Sequence, residues 1–302
     1  MGGTSGGSGG AGGSAGAETG PVKPIMQNGR WALAVGDVTL EVDPQVGARI
    51  TTFSKGAENL LTGPTVNPTY WGSTLWTSPE TQWQQPPPGP IDSEPYTAQG
   101  TDTEVVFTGM PYAMLGVSVT KTFSAERGSG GYFQIEYALK NTKQTPIMMA
   151  PWEVTRVLPR GLTFFPTGSK TTLSQGATLP TTVSDGVTWF AYDMATVTKD
   201  SKLYADAAEG WVAHVAQGLV FIKRFADVPA AQIAPNEGDV ELYTNAIHTY
   251  IEIENQAAYG AIAPGASTSW TVTWYLRALP AGLAAAPSAA LAQFVRDTIA
   301  AP

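Results

Sequence analysis

Between residues 30 and 299 the chain repeats short runs in which apolar and polar side chains alternate, and glycine, proline, asparagine or aspartate separates the runs. Alternation with a period of two residues is the pattern of a β-strand that buries one face. About fourteen strands are predicted, at residues 31–35, 38–42, 48–55, 104–108, 118–124, 132–141, 147–157, 163–166, 188–192, 211–216, 219–225, 240–244, 249–255 and 267–276. This many strands without a change of composition predicts an all-β fold, a single large sandwich of two extended sheets.

Composition narrows the class of ligand. Charged residues make up 14% of the 302-residue chain, against roughly 25% in an average soluble domain. The 33 glycines and 23 prolines favour a loop-rich β architecture. The net charge of -8 and the isoelectric point near 4.8 leave no basic surface for nucleic acid or for anionic membranes. A neutral small molecule therefore fits better as a partner than a polyanion.

Metal and disulfide chemistry are restricted by residue type. The chain has no cysteine and only two histidines, His214 and His248. We therefore predict no cofactor and no metal site, although a Ca²⁺ site built from oxygen ligands stays open because such sites have loose spacing. No apolar run approaches the roughly 20 residues of a membrane-spanning helix, and we expect a monomer without a transmembrane segment.

Residues 1–20 are nearly all small and polar, a composition that cannot bury enough apolar surface to become ordered. We predict a disordered tether at 1–20 and a single β-sandwich domain at 21–302. The tether resembles the spacer that follows the lipidated cysteine of bacterial lipoproteins. That resemblance implies a lipid anchor upstream of residue 2 and an extracytoplasmic location, as a cell-envelope lipoprotein or a secreted protein. An intrinsic or engineered linker has the same composition.

Two neighbouring strand-like runs, 240–245 and 250–256, have a polar face that is unlike a core face. Carboxylates accept hydrogen bonds, amides donate and accept them, and tyrosine rings offer flat apolar contact, so this face suits a ligand rich in hydroxyl groups. The alternation of a strand places two groups of side chains on that face: Glu241, Tyr243 and Asn245 in the first run, and Tyr250, Glu252, Glu254 and Gln256 in the second.

Two segments differ from this pattern. Residues 67–96 have no periodicity and are predicted to form a long ordered loop. Its tryptophans, Trp71, Trp76 and Trp83, are interpreted either as a wall on which a sugar stacks or as anchors that pin the loop to the sandwich. Residues 288–299 have apolar side chains at spacings of three and four, which predicts a C-terminal helix packed on the outside of the sandwich.

The motifs resemble those of a known family. Val240-Glu241-Leu242-Tyr243-Thr244-Asn245 and Glu254-Asn255-Gln256 are similar, in order and spacing, to two segments of the aldose 1-epimerases, the galactose mutarotases. Gly47-Ala48-Arg49-Ile50-Thr51 and Thr145-Pro146-Ile147-Met148-Met149 resemble earlier strands of that family. The resemblance implies a β-supersandwich with a sugar bound on its concave sheet. WGSTLWTSP and APGASTSWTVTWYLRALP resemble, more closely still, a bacterial branch known as a domain of unknown function.

The resemblance also implies roles for particular residues. Glu254 corresponds to the glutamate that acts as general base on the anomeric hydroxyl, and Glu241 stands where the family has a sugar-binding glutamine. Trp152 occupies the position of the histidine that acts as general acid, a step worth about 10² to 10⁴ in rate. Glu153 and His214 are the candidates that remain for that acid, since a buried carboxyl can have a raised pKa.

Further candidates come from the residues themselves. Arg156 is interpreted as a donor to sugar hydroxyls or as the partner of a carboxylate. Lys223 is predicted to face the pocket, Trp152 to offer a stacking surface, and His214 is otherwise a hydrogen-bonded structural histidine. Glu252 and Glu254 lie about 7 Å apart along one strand face, a spacing from which two carboxyls can approach the geometry of glycoside hydrolases.

Three hypotheses for function follow. The preferred one is a carbohydrate-binding protein with a sugar pocket on the concave sheet, in which Glu241, Tyr243, Glu252 and Gln256 contact the ligand. The first alternative is an aldose 1-epimerase-type isomerase with Glu254 as its base. The second alternative is an accessory domain of a polysaccharide lyase or glycoside hydrolase. A tethered structural domain, with no affinity for saccharides, is the contrasting case.

Overall fold

The computed structural model describes residues 1, 19–128, 130–174 and 176–301. It consists of two large antiparallel sheets with few helices, as the alternating runs predict. The predicted tether falls almost entirely at residues 2–18, which lie outside the described residues. In the described part of the chain, no helix is both long and apolar enough to span a bilayer.

The elements are given in chain order. The strands are β1 (Gly20–Pro21), β2 (Ile25–Gln27), β3 (Arg30–Val35), β4 (Val38–Asp43), β5 (Arg49–Lys55), β6 (Glu58–Asn59), β7 (Ser73–Ser78), β8 (Thr97–Gly100), β9 (Glu104–Thr108), β10 (Val117–Arg127), β11 (Tyr132–Asn141), β12 (Ile147–Val157), β13 (Leu162–Pro166), β14 (Thr171–Leu173), β15 (Thr182–Ser184), β16 (Val187–Ala191), β17 (Ser201–Ala205), β18 (Trp211–Ala216), β19 (Leu219–Arg224), β20 (Val240–Thr244), β21 (Ile251–Gln256), β22 (Gly260–Ile262) and β23 (Ser267–Ala278). The α-helices are α1 (Gly89–Asp92) and α2 (Ala289–Ala300), and short 3₁₀ turns lie at Glu80–Gln82, Ala208–Gly210 and Ala230–Gln232.

The strands divide between two sheets. The eleven-stranded sheet has the order β15-β16-β13-β18-β19-β23-β11-β10-β9-β8, with β1 beside β10. The twelve-stranded sheet has the order β14-β17-β20-β21-β12-β7-β5-β4-β3-β2, with β22 beside β12 and β6 beside β5. Strands that are distant in sequence, such as β12 and β21, therefore become neighbours.

The main hydrophobic core lies between the sheets. Phe53 on the twelve-stranded sheet packs edge-on against Trp274 and Phe133 of the other sheet, with ring centroids 5.0 and 5.5 Å apart. Phe221 meets the same tryptophan at 4.7 Å. Edge-to-face contacts of this kind add about 0.5–1.5 kcal/mol to the burial of the rings.

A second core covers the outer face of the eleven-stranded sheet. Leu291 and Val295 of α2 are fully buried there in a cluster that includes Trp211 and Ile222. Ser288 caps the helix, since its side chain accepts a hydrogen bond from the Leu291 amide at 3.2 Å. The predicted C-terminal helix on the outside of the sandwich is therefore present.

The segment at 67–96 is not the loop that its sequence suggests. It contains β7, which lies between β12 and β5 in the middle of the twelve-stranded sheet. All six residues of β7 are buried, so no alternation of polar and apolar residues marks it. Gly72 has a φ of 62°, and a Cβ there would stand 2.5 Å from the Ile50 carbonyl oxygen, so the close entry into β7 depends on glycine.

Candidate functional site

The outer face of the twelve-stranded sheet combines polar side chains from β17, β20, β21, β12 and β7. The register pairs Glu241 with Glu254 and Tyr243 with Glu252. The intervening residues, such as Leu242 and Ile253, belong to the core between the sheets. The two polar runs therefore share one face, and that face points away from the core.

A cavity of about 270 Å³ opens on this face. It lies where the rings of Tyr70 and Trp76 approach the side chains of β17, β20 and β21. Carboxylates, an ammonium group and aromatic rings all contribute to its wall. The lining residues are Tyr70, Trp76, Glu80, Gln85, Lys202, Tyr243, Tyr250 and Glu252.

Lys202 holds two buried carboxylates together below the cavity. Its Nζ lies 2.7 Å from Glu241 Oε2 and 3.1 Å from Glu254 Oε2. The same ammonium stands 4.6 Å from the ring centroid of Trp152, a cation–π contact. Gln256 Nε2 donates to Glu241 Oε1 at 2.8 Å. Glu254 Oε1, by contrast, is buried without a hydrogen-bond partner.

Burial and the neighbouring charges shift the pKa values of Glu241, Glu254 and Lys202. Burial raises the pKa of Glu254 to about 7, although Lys202 opposes the shift. Burial also raises the pKa of Glu241 well above its usual value, again against the pull of Lys202. Burial lowers the pKa of Lys202, but Glu241 and Glu254 outweigh this effect and place it well above normal. Lys202 therefore stays protonated at neutral pH, and Glu241 and Glu254 share its single positive charge.

Arg156 packs against the two rings, Tyr70 and Trp76, that form the aromatic wall of the cavity. Its Nε donates to Glu252 Oε1 at 2.8 Å, and the guanidinium lies 5.4 Å from the Tyr70 ring and 5.0 Å from the Trp76 ring. Both terminal nitrogens of Arg156 are buried without a hydrogen-bond partner. Arg156 is thus the partner of a carboxylate, one of its two predicted roles, and it retains donors next to the cavity wall.

Of the four tryptophans predicted to stack on a sugar, Trp76 lines the cavity. Its Nε1 donates to Asp92 Oδ1 at 2.9 Å, which fixes the indole in place. Trp152 and Trp83 pack behind it, with ring centroids 5.2 and 5.5 Å from that of Trp76. Trp71 instead lies against Arg49, whose guanidinium carbon is 4.9 Å from its ring. The segment at 67–96 is therefore anchored by its own tryptophans and also supplies one wall of the cavity.

Glu153 and Lys223 lie on the inner side of the sandwich, contrary to the placement expected from sequence. They form a salt bridge of 2.8 Å between the two sheets. Glu153 immediately follows Trp152 on β12, so strand alternation turns it away from the cavity. Lys223 belongs to β19 of the other sheet, and neither residue lines the cavity.

His214 also lies in the eleven-stranded sheet, on β18. It is 1% exposed, and its Nδ1 is 2.9 Å from Thr163 Oγ1. Burial lowers the pKa of His214 to about 3, with a smaller contribution from Arg160. The structure therefore places a neutral, hydrogen-bonded histidine away from the cavity, in agreement with its structural interpretation.

Lys202 is the central residue of the candidate site that sequence patterns did not predict. It lies in Ser201-Lys202-Leu203-Tyr204-Ala205, where buried and half-buried residues alternate as in the strands that were predicted. The alternation of this run is weak in the sequence, because Leu203 is its only large aliphatic residue. Glu80 and Gln85 were missed for a different reason, since they come from the segment without periodicity.

The fold has solved counterparts. The galactose mutarotase related enzyme from Lactobacillus acidophilus is 9% identical, covers 84% of this chain and 99% of its own, and superimposes with a TM-score of 0.58. A galactose mutarotase-like protein from Clostridium acetobutylicum is 11% identical, with coverages of 85% and 98% and a TM-score of 0.52. At such identities the likeness shows the fold alone, which is the galactose mutarotase-like β-sandwich.

A TPR-domain containing protein from Parabacteroides distasonis superimposes with a TM-score of 0.62 at 11% identity. This chain is covered over 86% of its length but spans only 49% of that protein. A search among curated proteins found no match. The family model described as "Domain of unknown function (DUF4380)" matches residues 29–277. The chain belongs to this family.

Proposed function

We propose that this protein binds one neutral sugar ring in the cavity on the outer face of the twelve-stranded sheet. The lining is the observation that carries the proposal: Lys202 and Glu252 stand beside the rings of Trp76, Tyr243 and Tyr250. A pyranose presents hydroxyl groups at its edge and an apolar surface on its face. Charged donors and acceptors next to flat rings complement both.

The size of the cavity supports a single ring. Its volume of about 270 Å³ is just below the range of about 300–1,000 Å³ that is typical for drug-sized ligands. The mutarotase-like structural relatives from Lactobacillus acidophilus and Clostridium acetobutylicum are named for galactose, which supports the same class of ligand. A monosaccharide, or the terminal ring of a longer glycan, is therefore the proposed ligand.

The same geometry favours binding over catalysis. Lys202 lines the cavity, whereas Glu241 and Glu254 are fully buried behind it. A general base must come within about 3 Å of the proton it removes, so Glu254 reaches a ligand only if Lys202 moves. The raised pKa of Lys202 also makes its ammonium a poor general acid at neutral pH.

An aldose 1-epimerase-type isomerase is the second candidate, and Glu254 is the observation that favours it. Its pKa of about 7 is close to the value at which a general base is most effective, and its Oε1 has no partner. In such a reaction Glu254 would take the proton of the anomeric hydroxyl while the bond between the anomeric carbon and the ring oxygen breaks. The ring oxygen needs a proton in return; Lys202 lines the cavity beside Glu254, and its raised pKa makes it a weak donor for this step.

Binding is tested by titrating D-glucose, D-galactose and D-glucuronate into the protein by calorimetry, with ligand-detected NMR for weak binding. The neutral sugars are expected to bind more tightly than the uronate, since Glu80 and Glu252 repel a carboxylate. Tyr243→Leu removes a ring of the wall and should weaken binding about fivefold, from about 1 kcal/mol of aromatic contact. The matched control Tyr259→Leu changes a partly buried tyrosine elsewhere. Absence of binding to any sugar would sink the proposal.

Catalysis is tested separately, by polarimetry on freshly dissolved α-D-glucose and α-D-galactose. An acceleration that Glu254→Gln abolishes, and that the exposed-residue control Glu136→Gln retains, would establish the isomerase. Saccharide binding without acceleration would leave the binding function alone.

A further inference from the structure

A cluster of three aspartates lies at the end of the sandwich, apart from the sugar cavity. Asp206 directly follows β17 and Asp239 directly precedes β20, and the pairing of Ala205 with Val240 brings these two aspartates side by side. Asp227 comes from the loop after β19, in the other sheet. One carboxylate oxygen of each aspartate lies within 4.8 Å of the other two.

The negative charge of this cluster has no partner of opposite sign. Among the described residues, no salt bridge joins any of the three aspartates to a lysine, arginine or histidine. Three carboxylates at such separations repel one another strongly, and more so where burial removes the screening of water. A cluster of this kind needs a cation or a proton.

Asp239 gives an independent indication of a ligand. The residue is 1% exposed. Its Oδ1 accepts a hydrogen bond from the Ala207 amide at 2.8 Å, but its Oδ2 is buried without any partner. Buried carboxylate oxygens are almost always hydrogen-bonded or coordinated to a metal. The free oxygen belongs to a carboxylate that forms the cluster with Asp206 and Asp227.

We propose that Asp206, Asp227 and Asp239 bind a Ca²⁺ ion that ties the two sheets together. Ca²⁺ takes oxygen ligands at 2.3–2.6 Å, so two ligands of one ion lie at most about 5 Å apart. The separations within the cluster satisfy that limit. Asp227 is exposed, which gives the ion a route from solvent, while backbone carbonyls and water complete the coordination.

The bound ion also stabilises, through Asp239, the hydrogen-bonded side chains of Gln256 and Glu241 behind the cavity. The Asp239 carbonyl oxygen accepts a hydrogen bond from the Gln256 amide at 2.9 Å. The side chain of Gln256 in turn donates to Glu241, which pairs with Lys202. None of the three aspartates lines the cavity itself, so ion binding can be measured without any sugar.

A proton bound to Asp239 is the competing explanation for how the charge of the cluster is balanced. Burial raises the pKa of Asp239 to about 7, with smaller contributions from Asp206 and Asp227, so a protonated Asp239 could replace the cation near neutral pH. The two explanations differ in what Ca²⁺ does. A proton-held cluster gains nothing from added Ca²⁺, and Asp239→Asn then stabilises the protein whether or not the metal is present.

Calorimetric titration of the EDTA-treated, full-length protein with CaCl₂ is the test, together with thermal unfolding. One Ca²⁺ is expected to bind per chain and to raise Tm, because a ligand that binds only the folded state stabilises it. Mg²⁺ is expected to bind at least tenfold more weakly, since it demands near-ideal octahedral geometry. No heat and no rise in Tm at about 10⁻³ M Ca²⁺, the upper range of known protein sites, would overturn the proposal, as would equal binding of Mg²⁺.

Two substitutions locate the ion. Asp227→Asn changes an exposed side chain, and Asp239→Asn keeps an oxygen for the Ala207 amide, so both variants should fold as judged by circular dichroism. Each should weaken Ca²⁺ binding at least tenfold, whereas the control Asp185→Asn, at an exposed turn residue, should leave it unchanged. Undiminished binding in Asp227→Asn would show that the ion lies elsewhere.

Discussion

The two faces of the twelve-stranded sheet each bury a contact between lysine and glutamate. The two contacts differ in how many of their polar atoms have hydrogen-bond partners. On the inner face, Glu153 meets Lys223 at 2.8 Å and also accepts from Tyr137 at 2.6 Å and from the Trp274 indole at 3.1 Å. Lys223 donates, in addition, to the Ile253 carbonyl at 3.0 Å. On the outer face, Lys202 is shared between two carboxylates, and one oxygen of Glu254 has no partner.

The difference separates a structural ion pair from the proposed binding site. Buried charges are tolerated when their polar atoms have partners, and neither Glu153 nor Lys223 has a buried polar atom without one. The outer cluster carries one carboxylate more than it has cations, and it lies below a cavity lined by Lys202 and Glu252. Polar atoms that the fold leaves unsatisfied at a cavity are suited to a ligand that supplies partners.

The largest expected effect comes from breaking the inner pair. Lys223→Met leaves the Glu153 carboxylate in the core without a cation, which should lower the free energy of unfolding by about 3–5 kcal/mol. Urea denaturation followed by tryptophan fluorescence measures this. The double variant Lys223→Met/Glu153→Gln should regain part of the loss. A loss below about 1 kcal/mol for the single variant would remove the contrast with the outer face.

Breaking the outer cluster should cost less. Lys202→Met is expected to lower the free energy of unfolding by about 1–3 kcal/mol, the usual range for a buried group left without its partner. The pKa of Glu254 is already near 7, so a proton can replace the lost cation. The exposed control Lys140→Met should stay within about 0.5 kcal/mol of wild type. A larger loss for Lys202→Met than for Lys223→Met would reverse the comparison.

The buried layer between the sheets also predicts a pH dependence of stability. The pKa of His214 falls from 6.5 to about 3 on burial, so between these values the unfolded chain binds more protons than the folded one. The contribution of His214 is complete above pH 6.5 and is lost as the pH falls toward 3. The slope is at most about 1.4 kcal/mol per pH unit. His214→Gln should flatten this acid limb in denaturation curves between pH 7 and 4; an unchanged slope would contradict the burial argument.

The smallest effect on stability is expected at the cavity wall. Tyr243 is half-buried, and Tyr243→Leu should change the free energy of unfolding by no more than about 0.5 kcal/mol while it weakens sugar binding. Thermal unfolding and calorimetry on the same sample give both quantities. A loss of stability as large as that of Lys202→Met would show that the wall is part of the core.

Much of the fold could be predicted from alternation. All fourteen predicted strands are present, and residues 104–108, 132–141, 147–157, 211–216 and 240–244 match their strands at both ends. β7 was missed because four of its six residues are Ser or Thr, and β17 because Leu203 is its only large aliphatic residue, so its alternation is weak. Patterning identifies strands that alternate or that form an apolar run, such as 211–216, and it fails for a buried strand built largely from small polar residues.

For the candidate site, the sequence by itself determined which residues of β20 and β21 share a face, because the period of a strand is two. It could not determine which strands become neighbours, and that decided the rest. Lys202 meets Glu241 and Glu254 only because β17 pairs with β20 and β20 with β21. Likewise, Trp76 lies beside Trp152 only because β7 pairs with β12. Alternation is local, whereas the register between distant strands follows from how both sheets pack together.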